Sequence, residues 1–94
     1  MRILWDEKKS KALKANPKRR TSFEEAQIIL QKDDRDLGGG LKGYDPEQHY
    51  AIGFATNGAL ITLIYEFRDD DEGAYLWLVT LWKTTKEEKK GAGL

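Results

Sequence analysis

Apolar positions in the first third of the chain are sparse and helically spaced, whereas from His49 onward they alternate, so the chain reads as helices followed by a sheet. Arg2–Trp5 is a short apolar segment, expected as an edge strand. Asp6 is placed to cap a helix over about Glu7–Ala15. That helix is mostly charged, with Ala12 and Leu13 as its main apolar contacts, so it is expected on the surface. Asn16-Pro17 breaks it, and Lys18-Arg19-Arg20 follow as a basic linker. Ser22 with Glu25 three residues on forms a capping box. It opens a second helix to about Gln31, whose Phe23, Ala26, Ile29 and Leu30 share one side and predict packing on a sheet.

Asp33–Asp45 is turn-rich, with Gly38-Gly39-Gly40 and Gly43, and reads as a loop or a weak edge strand. A phosphate-cradling glycine loop needs a strand before it and a helix after it, and the pattern offers neither. His49–Thr56, Asn57-Gly58 and Ala59–Arg68 predict a hairpin with a two-residue type I′ turn. Asp69–Gly73 turns the chain again, and Tyr75–Lys83 is the last strand. Thr84 or Thr85, with Glu87 or Glu88 three residues later, opens a short final helix ended by Gly91.

A two-residue turn sets His49 opposite Glu66 and a five-residue second loop sets Phe67 opposite Tyr75. One face then carries Tyr50, Ile52, Phe54, Ile61, Leu63, Tyr65, Phe67, Tyr75, Trp77, Val79 and Leu81, the expected core under the helices. The other carries His49, Ala51, Gly53, Ala55, Leu60, Thr62, Ile64, Glu66, Leu76, Leu78, Thr80 and Trp82. It is more apolar than a water-facing sheet surface, so the basic helix or a partner is expected to cover part of it. The expectation is therefore one α+β domain over residues 1–94: an antiparallel sheet, two N-terminal helices packed on one face, and a short C-terminal helix.

Composition narrows the chemistry. The chain has no cysteine, which excludes disulfides, thiolate metal sites and a cysteine nucleophile. No apolar run approaches the roughly 20 residues of a membrane span, and no signal-peptide stretch opens the chain. A reducing cytoplasm is the expected compartment. The net charge is zero but uneven: residues 1–20 carry +6, residues 21–82 carry −8 and residues 83–94 carry +2. Basic ends suit an anionic partner, although short solvated helices are also often rich in lysine.

Several segments resemble the BrnT family of bacterial toxin components. Trp5-Asp6 followed by Lys9 resembles the family's opening Trp-Asp-x-x-Lys. Ser22-Phe23-Glu24-Glu25-Ala26 resembles its Ser-Phe-Glu-Glu-Ala helix start. His49-Tyr50-Ala51-Ile52-Gly53 lies where the family has Arg-Phe and then Ile-Gly, and Val79-Thr80 is similar to its Ile-Ser. Thr85-Lys86-Glu87-Glu88-Lys89 is similar to its closing Thr-x-x-Glu-Arg. The resemblance spans roughly residues 3–90. It implies a RelE-like fold, metal-independent RNA cleavage without a cofactor, and a ribbon-helix-helix antitoxin as partner, with a dimer or a heterotetramer as the assembly. The chain departs from the pattern at three places. Asn16–Thr21 replaces the family's Lys-His-Gly, Phe54 stands where an arginine is usual, and Leu81-Trp82-Lys83 stands for Ala-Arg-Arg.

RNA cleavage without a metal needs proton transfer at the 2′-oxygen and the 5′-oxygen and stabilisation of the phosphorane charge. His49, the only histidine, is the candidate acid or base, with a cross-strand ion pair to Glu66 as the structural alternative. Lys83 and Arg20 are candidates for phosphate charge. Lys9, Lys11, Lys14, Lys18 and Arg19 are candidates for binding the RNA backbone, or are simply solvated. Trp82 can stack on a base, anchor a partner or fill the core. Asp69–Glu72 is acidic, but consecutive carboxylates on one turn do not converge on a metal ion. Two functions follow: a BrnT-like ribonuclease toxin, or a toxin-fold binding module that has lost catalysis with its arginines. A plain nucleic-acid binder fits less well, because the chain carries no net positive charge.

Overall fold

The computed structural model describes residues 1–31, 36–44 and 47–94, with the backbone alone for residues 36–38 and 44. The helices are α1 (Glu7–Ala15), α2 (Phe23–Ala26), α3 (Ile28–Gln31) and α4 (Lys86–Gly91). The strands are β1 (Arg2–Leu4), β2 (Asp36–Tyr44), β3 (Glu47–Phe54), β4 (Leu60–Asp70) and β5 (Gly73–Lys83). Among the described residues they form an α+β fold around one five-stranded sheet in the order β1-β5-β4-β3-β2. The expected all-antiparallel sheet is corrected at one edge: β1 runs parallel to β5, with Ile3 opposite Leu76. Antiparallel partners need only a tight turn, whereas β1 reaches β5 through the rest of the chain, so no local pattern announces the pairing.

Local signals explain the helix ends. The Asp6 carboxylate accepts from the Lys8 and Lys9 N–H groups and starts α1. Both capping boxes form, Ser22 with Glu25 and Thr85 with Glu88. The second predicted helix is not continuous; it divides at Gln27 into α2 and α3. The glycine-rich segment is a strand over Asp36–Tyr44, while residues 33–35 and 45 of that segment lie outside the described residues.

The hairpin differs from the expected one in a way that decides the core. Gly58 N–H donates to the Ala55 carbonyl at 3.0 Å, Ala55 N–H donates to the Ala59 carbonyl at 3.0 Å, and Gly58 sits at φ 86. This is a three-residue loop with a left-handed glycine, not a two-residue type I′ turn. The longer loop slips the pairing by one residue, so His49 faces Tyr65 and Ala51 faces Leu63. A one-residue slip exchanges the two faces of β3. Ala51 and Ala55 therefore line the core, and Tyr50, Ile52 and Phe54 point to the opposite side. The small residues let Phe23, Ala26 and Ile29 of α2 and α3 seat close to the sheet. On β5 a register shift opposite Ile64 and Tyr65 leaves Val79 without a partner. It turns Leu78 and Leu76 inward where Trp77 and Tyr75 were expected. The second loop is also shorter than read, since Asp70 pairs with Gly73 around Asp71-Glu72. Phe54 and Phe67, both expected in the core, are 48% and 56% exposed.

The second face is covered by the C-terminal segment rather than by the basic helix. Thr62 Oγ1 donates to Thr84 Oγ1 at 3.1 Å, and Trp82 Nε1 donates to the Glu88 carboxylate at 3.0 Å. Ile52, Thr62 and Ile64 are buried there. Nearer the Asp71-Glu72 turn lies a polar network. Buried Glu66 accepts from Gln48 Nε2 at 2.9 Å and from Arg68 at 2.7 Å, and Arg68 lies 4.9 Å from the Trp77 ring centre.

The Gln48 hydrogen bond holds the Glu66 carboxyl below its ordinary 4.5, against the opposing effect of burial, and Arg68 adds to it. A carboxyl lowered in the folded state stabilises the fold above its unfolded value and loses that contribution as the pH falls through its folded value. The melting temperature of the parent should therefore fall as the pH drops below about 4.5. Glu66→Gln should have a lower melting temperature at pH 7 and a shallower acid limb, both read by thermal unfolding from pH 7 to pH 3.

Candidate nucleic-acid interface

The basic linker is fixed to one end of the sheet. β1 ends opposite Trp77, so further along β5 none of the described strands lies beside the outer edge. Arg19 occupies that position, its Nε donating to the Leu81 carbonyl at 2.8 Å. Asn57, at the tip of the β3–β4 hairpin, holds the other side of the linker. Its Nδ2 donates to the Arg20 carbonyl at 3.3 Å and to Thr21 Oγ1 at 3.1 Å. Thr21 is fully buried and donates to the Arg19 carbonyl. Lys18 N–H donates to the Asn16 side chain at 2.9 Å.

Arg20 carries the one left-handed backbone outside glycine among the described residues, at φ 51. For an L-residue this conformation costs roughly 1–2 kcal/mol. It persists here because the Arg20 N–H donates to the Asn16 carbonyl at 2.9 Å and the Arg20 carbonyl accepts from Asn57. Non-glycine residues held this way concentrate at functional sites. The Arg20 side chain is exposed, as is Lys18.

Lys83 belongs to the same end. It pairs with Ile61, two residues beyond Leu81 on β5, and is exposed. The structure thus places Arg19, Arg20 and Lys83 at one end of the sheet, with Lys18 next to them in the linker. Arg19 is partly committed, because its Nε supports Leu81; its other guanidinium N–H groups remain as donors.

His49 is elsewhere. The Lys83 row runs through Ile61 to Gly53, and His49 is four residues away along β3. That is about 13 Å along the strands and about 10 Å across two strands. The expected pair with Glu66 is absent, because the register slip sends the two side chains to opposite faces. His49 Nε2 lies 3.1 Å from Glu47 Oε1 instead. Its ring stacks on Tyr65 at 5.6 Å and meets Phe67 edge-on at 5.0 Å.

The remaining candidates are dispersed. Lys14 pairs with Glu25 at 2.8 Å, a surface pair worth roughly 0.2–1 kcal/mol. Burial pushes the Glu25 carboxyl up, but the Lys14 and Ser22 hydrogen bonds outweigh it and hold it below its ordinary value. Lys9 and Lys11 are exposed on α1. Trp82 is on the opposite face from Lys83, bonded to Glu88 and flanked by Lys42 Nζ at 5.6 Å from its ring centre, so both its edge and its face have partners.

Sequence reading missed Asn57 as a tether and Ser10 as a buried acceptor for the Phe23 N–H at 2.9 Å. Asn57 was visible only as a turn former, and Ser10 only as a polar break in a lysine-rich helix. Among the described residues no group of three His, Asp or Glu side chains is placed to hold a metal ion. No described helix is long and apolar enough to cross a membrane. No protein-family model matches the chain, and no curated protein matches it in sequence.

Proposed function

We propose that this chain is a toxin-type protein of the BrnT kind, with a RelE-like fold and a ribbon-helix-helix antitoxin as partner, which engages RNA in the cytoplasm at the basic end of its sheet. One observation supports this most: Arg19, Arg20 and Lys83 are held at one end by contacts distant in sequence, with Arg20 in a strained backbone. In this reading Lys18, Arg20 and Lys83 hold phosphates, and Arg20 and Lys83 stabilise the charge of the phosphorane. Arg19 positions the linker. His49 takes no part, since proton transfer needs hydrogen-bond reach; the 2′-hydroxyl loses its proton to solvent water as the oxygen attacks phosphorus, and the Lys83 ammonium donates a proton to the 5′-oxygen as the P–O5′ bond breaks.

A toxin-fold binding module without catalysis is the second reading. The separation of His49 from Lys83 favours it, because the only histidine is then unable to serve a phosphate held by Lys83.

Arg20→Gly tests the proposal at its strained residue. Glycine accepts the left-handed backbone without a Cβ clash, so folding should be unchanged or stabilised by up to about 1 kcal/mol. RNA binding should weaken, and the slope of log affinity against log salt should shrink by about 0.7, the value for one lost single-strand phosphate contact. Denaturant melts and filter binding at several salt concentrations read both. Unchanged affinity and slope would remove Arg20 from the interface.

A further inference from the structure

A cleft of about 580 Å³ lies between β2 and α4. Small-molecule sites run from roughly 300 to 1,000 Å³. Tyr50 and Ile52 line it, so it belongs to the face of the sheet away from α2 and α3. Leu41 and Ile52 supply apolar surface. The Tyr50 ring lies against Gly40, where an added Cβ would stand 3.4 Å from Tyr50 Cε1. On the α4 side a Cβ at Gly91 would meet nothing within 4 Å, so the space there is open. Such walls suit a flat ring.

Two opposite charges border this cleft without neutralising each other. Lys42 and Glu88 both line it, and both rest on Trp82. The Lys42 ammonium lies 5.6 Å from the ring centre, and the Glu88 carboxylate accepts from Nε1 at 3.0 Å. They form no ion pair with one another, and Lys42 has no carboxylate partner among the described residues. Glu88 also accepts from the Thr85 N–H at 2.8 Å. Burial pushes its carboxyl up, but the Thr85 and Trp82 hydrogen bonds outweigh this and hold it below its ordinary 4.5. An ionised carboxylate has about four acceptor positions, so capacity remains beyond these two donors. The cleft therefore sets a donor and an acceptor beside a flat apolar surface.

Guanine carries both complements on one ring system: O6 and N7 accept, and the N1–H and N2–H groups donate. Adenine has an amino group where guanine has O6, which would set a donor against Lys42. We propose that the cleft binds a guanine base, with Lys42 donating to its O6 and N7 edge and Glu88 accepting from its N1–H and N2–H groups. The base can come from a free nucleotide or from RNA, and the proposal does not depend on the linker-end reading.

Nuclear magnetic resonance titration with guanosine and adenosine monophosphates, up to about 10 mM to register weak binding, tests it. The guanine nucleotide should shift the amides of Gly39, Gly91 and Ala92. It should bind at least about 10-fold more tightly than the adenine nucleotide, the scale of one well-made base contact. Lys42 is exposed, so Lys42→Met should keep the circular dichroism of the parent while losing the preference. A second arm uses short uridine oligonucleotides with and without one guanine. Guanine-dependent binding in that arm alone assigns the cleft to RNA. No guanine preference in either arm, whether from equal binding or from none, overturns the proposal, as does a preference that Lys42→Met retains. RNA binding without that preference would sink this proposal alone and leave the linker-end reading standing.

Discussion

Phe23→Ala is expected to remove about 3–5 kcal/mol of folding stability, the largest single loss among core substitutions in this chain. Phe23 is fully buried, opens α2 and belongs to the core cluster with Leu13, Ala26, Ile29, Ala51, Leu63 and Leu81. The β3 members of this cluster, Ala51 and Ala55, are too short to refill the space. Its N–H is also held by the buried Ser10 hydroxyl. A shift of the ring site therefore disturbs the contact between α1 and α2 as well. A domain of this size holds roughly 5–10 kcal/mol, so the variant should be partly unfolded at physiological temperature. Urea unfolding followed by circular dichroism measures the loss. A cost below about 1 kcal/mol would show that this ring does not anchor the core cluster.

The second large effect concerns RNA. Replacing both Lys83 and Arg20 by alanine removes two of the charges gathered at the linker end. Both belong to the linker end of the sheet and would act on one substrate, so their losses need not add simply. RNA cleavage should fall by at least about 100-fold, the scale for loss of preorganised donors around a developing oxyanion. Binding should weaken, with a salt slope smaller by about 1.4, the equivalent of two phosphate contacts. His49→Ala should leave both nearly unchanged. If binding is lost in the double variant but the parent never cleaves, the second reading, a binding module, is the one that stands.

Part of this architecture was legible in the sequence. Asp6 and the Ser22–Glu25 and Thr85–Glu88 capping boxes fixed helix starts, because capping is a local hydrogen-bond pattern. The inward set on β4 was also readable, since Ile61 and Leu63 alternate with the other face and are fully buried. Asn57-Gly58 was misleading. The same dipeptide serves a two-residue type I′ turn and a three-residue loop with a left-handed glycine, and the choice between them reverses β3. Burial of small residues on one face of β3 was the remaining clue, because Ala51, Gly53 and Ala55 suit a closely seated helix. The unpaired Val79 has no sequence signature at all. β2 has too many glycines to show alternation.

The basic linker was legible as composition but not as a site. Lys18-Arg19-Arg20 between two helices announces charge. The Arg19 bond to Leu81 and the Asn57 bond to Arg20 join residues far apart in the chain, and only the folded backbone brings them together. The same geometry removed His49. A single histidine on a strand invites a catalytic role, but the register placed it in an aromatic cluster beside Glu47, four residues along β3 from the row of Lys83.

The most direct test of RNA engagement at the linker end is incubation of labelled single-stranded RNA in EDTA with three proteins: the parent, the Lys83→Ala, Arg20→Ala double variant, and His49→Ala. The account predicts cleavage by the parent and by His49→Ala, and intact RNA with the double variant. Cleavage that survives in the double variant and disappears in His49→Ala would contradict it and move the site to the aromatic cluster around His49.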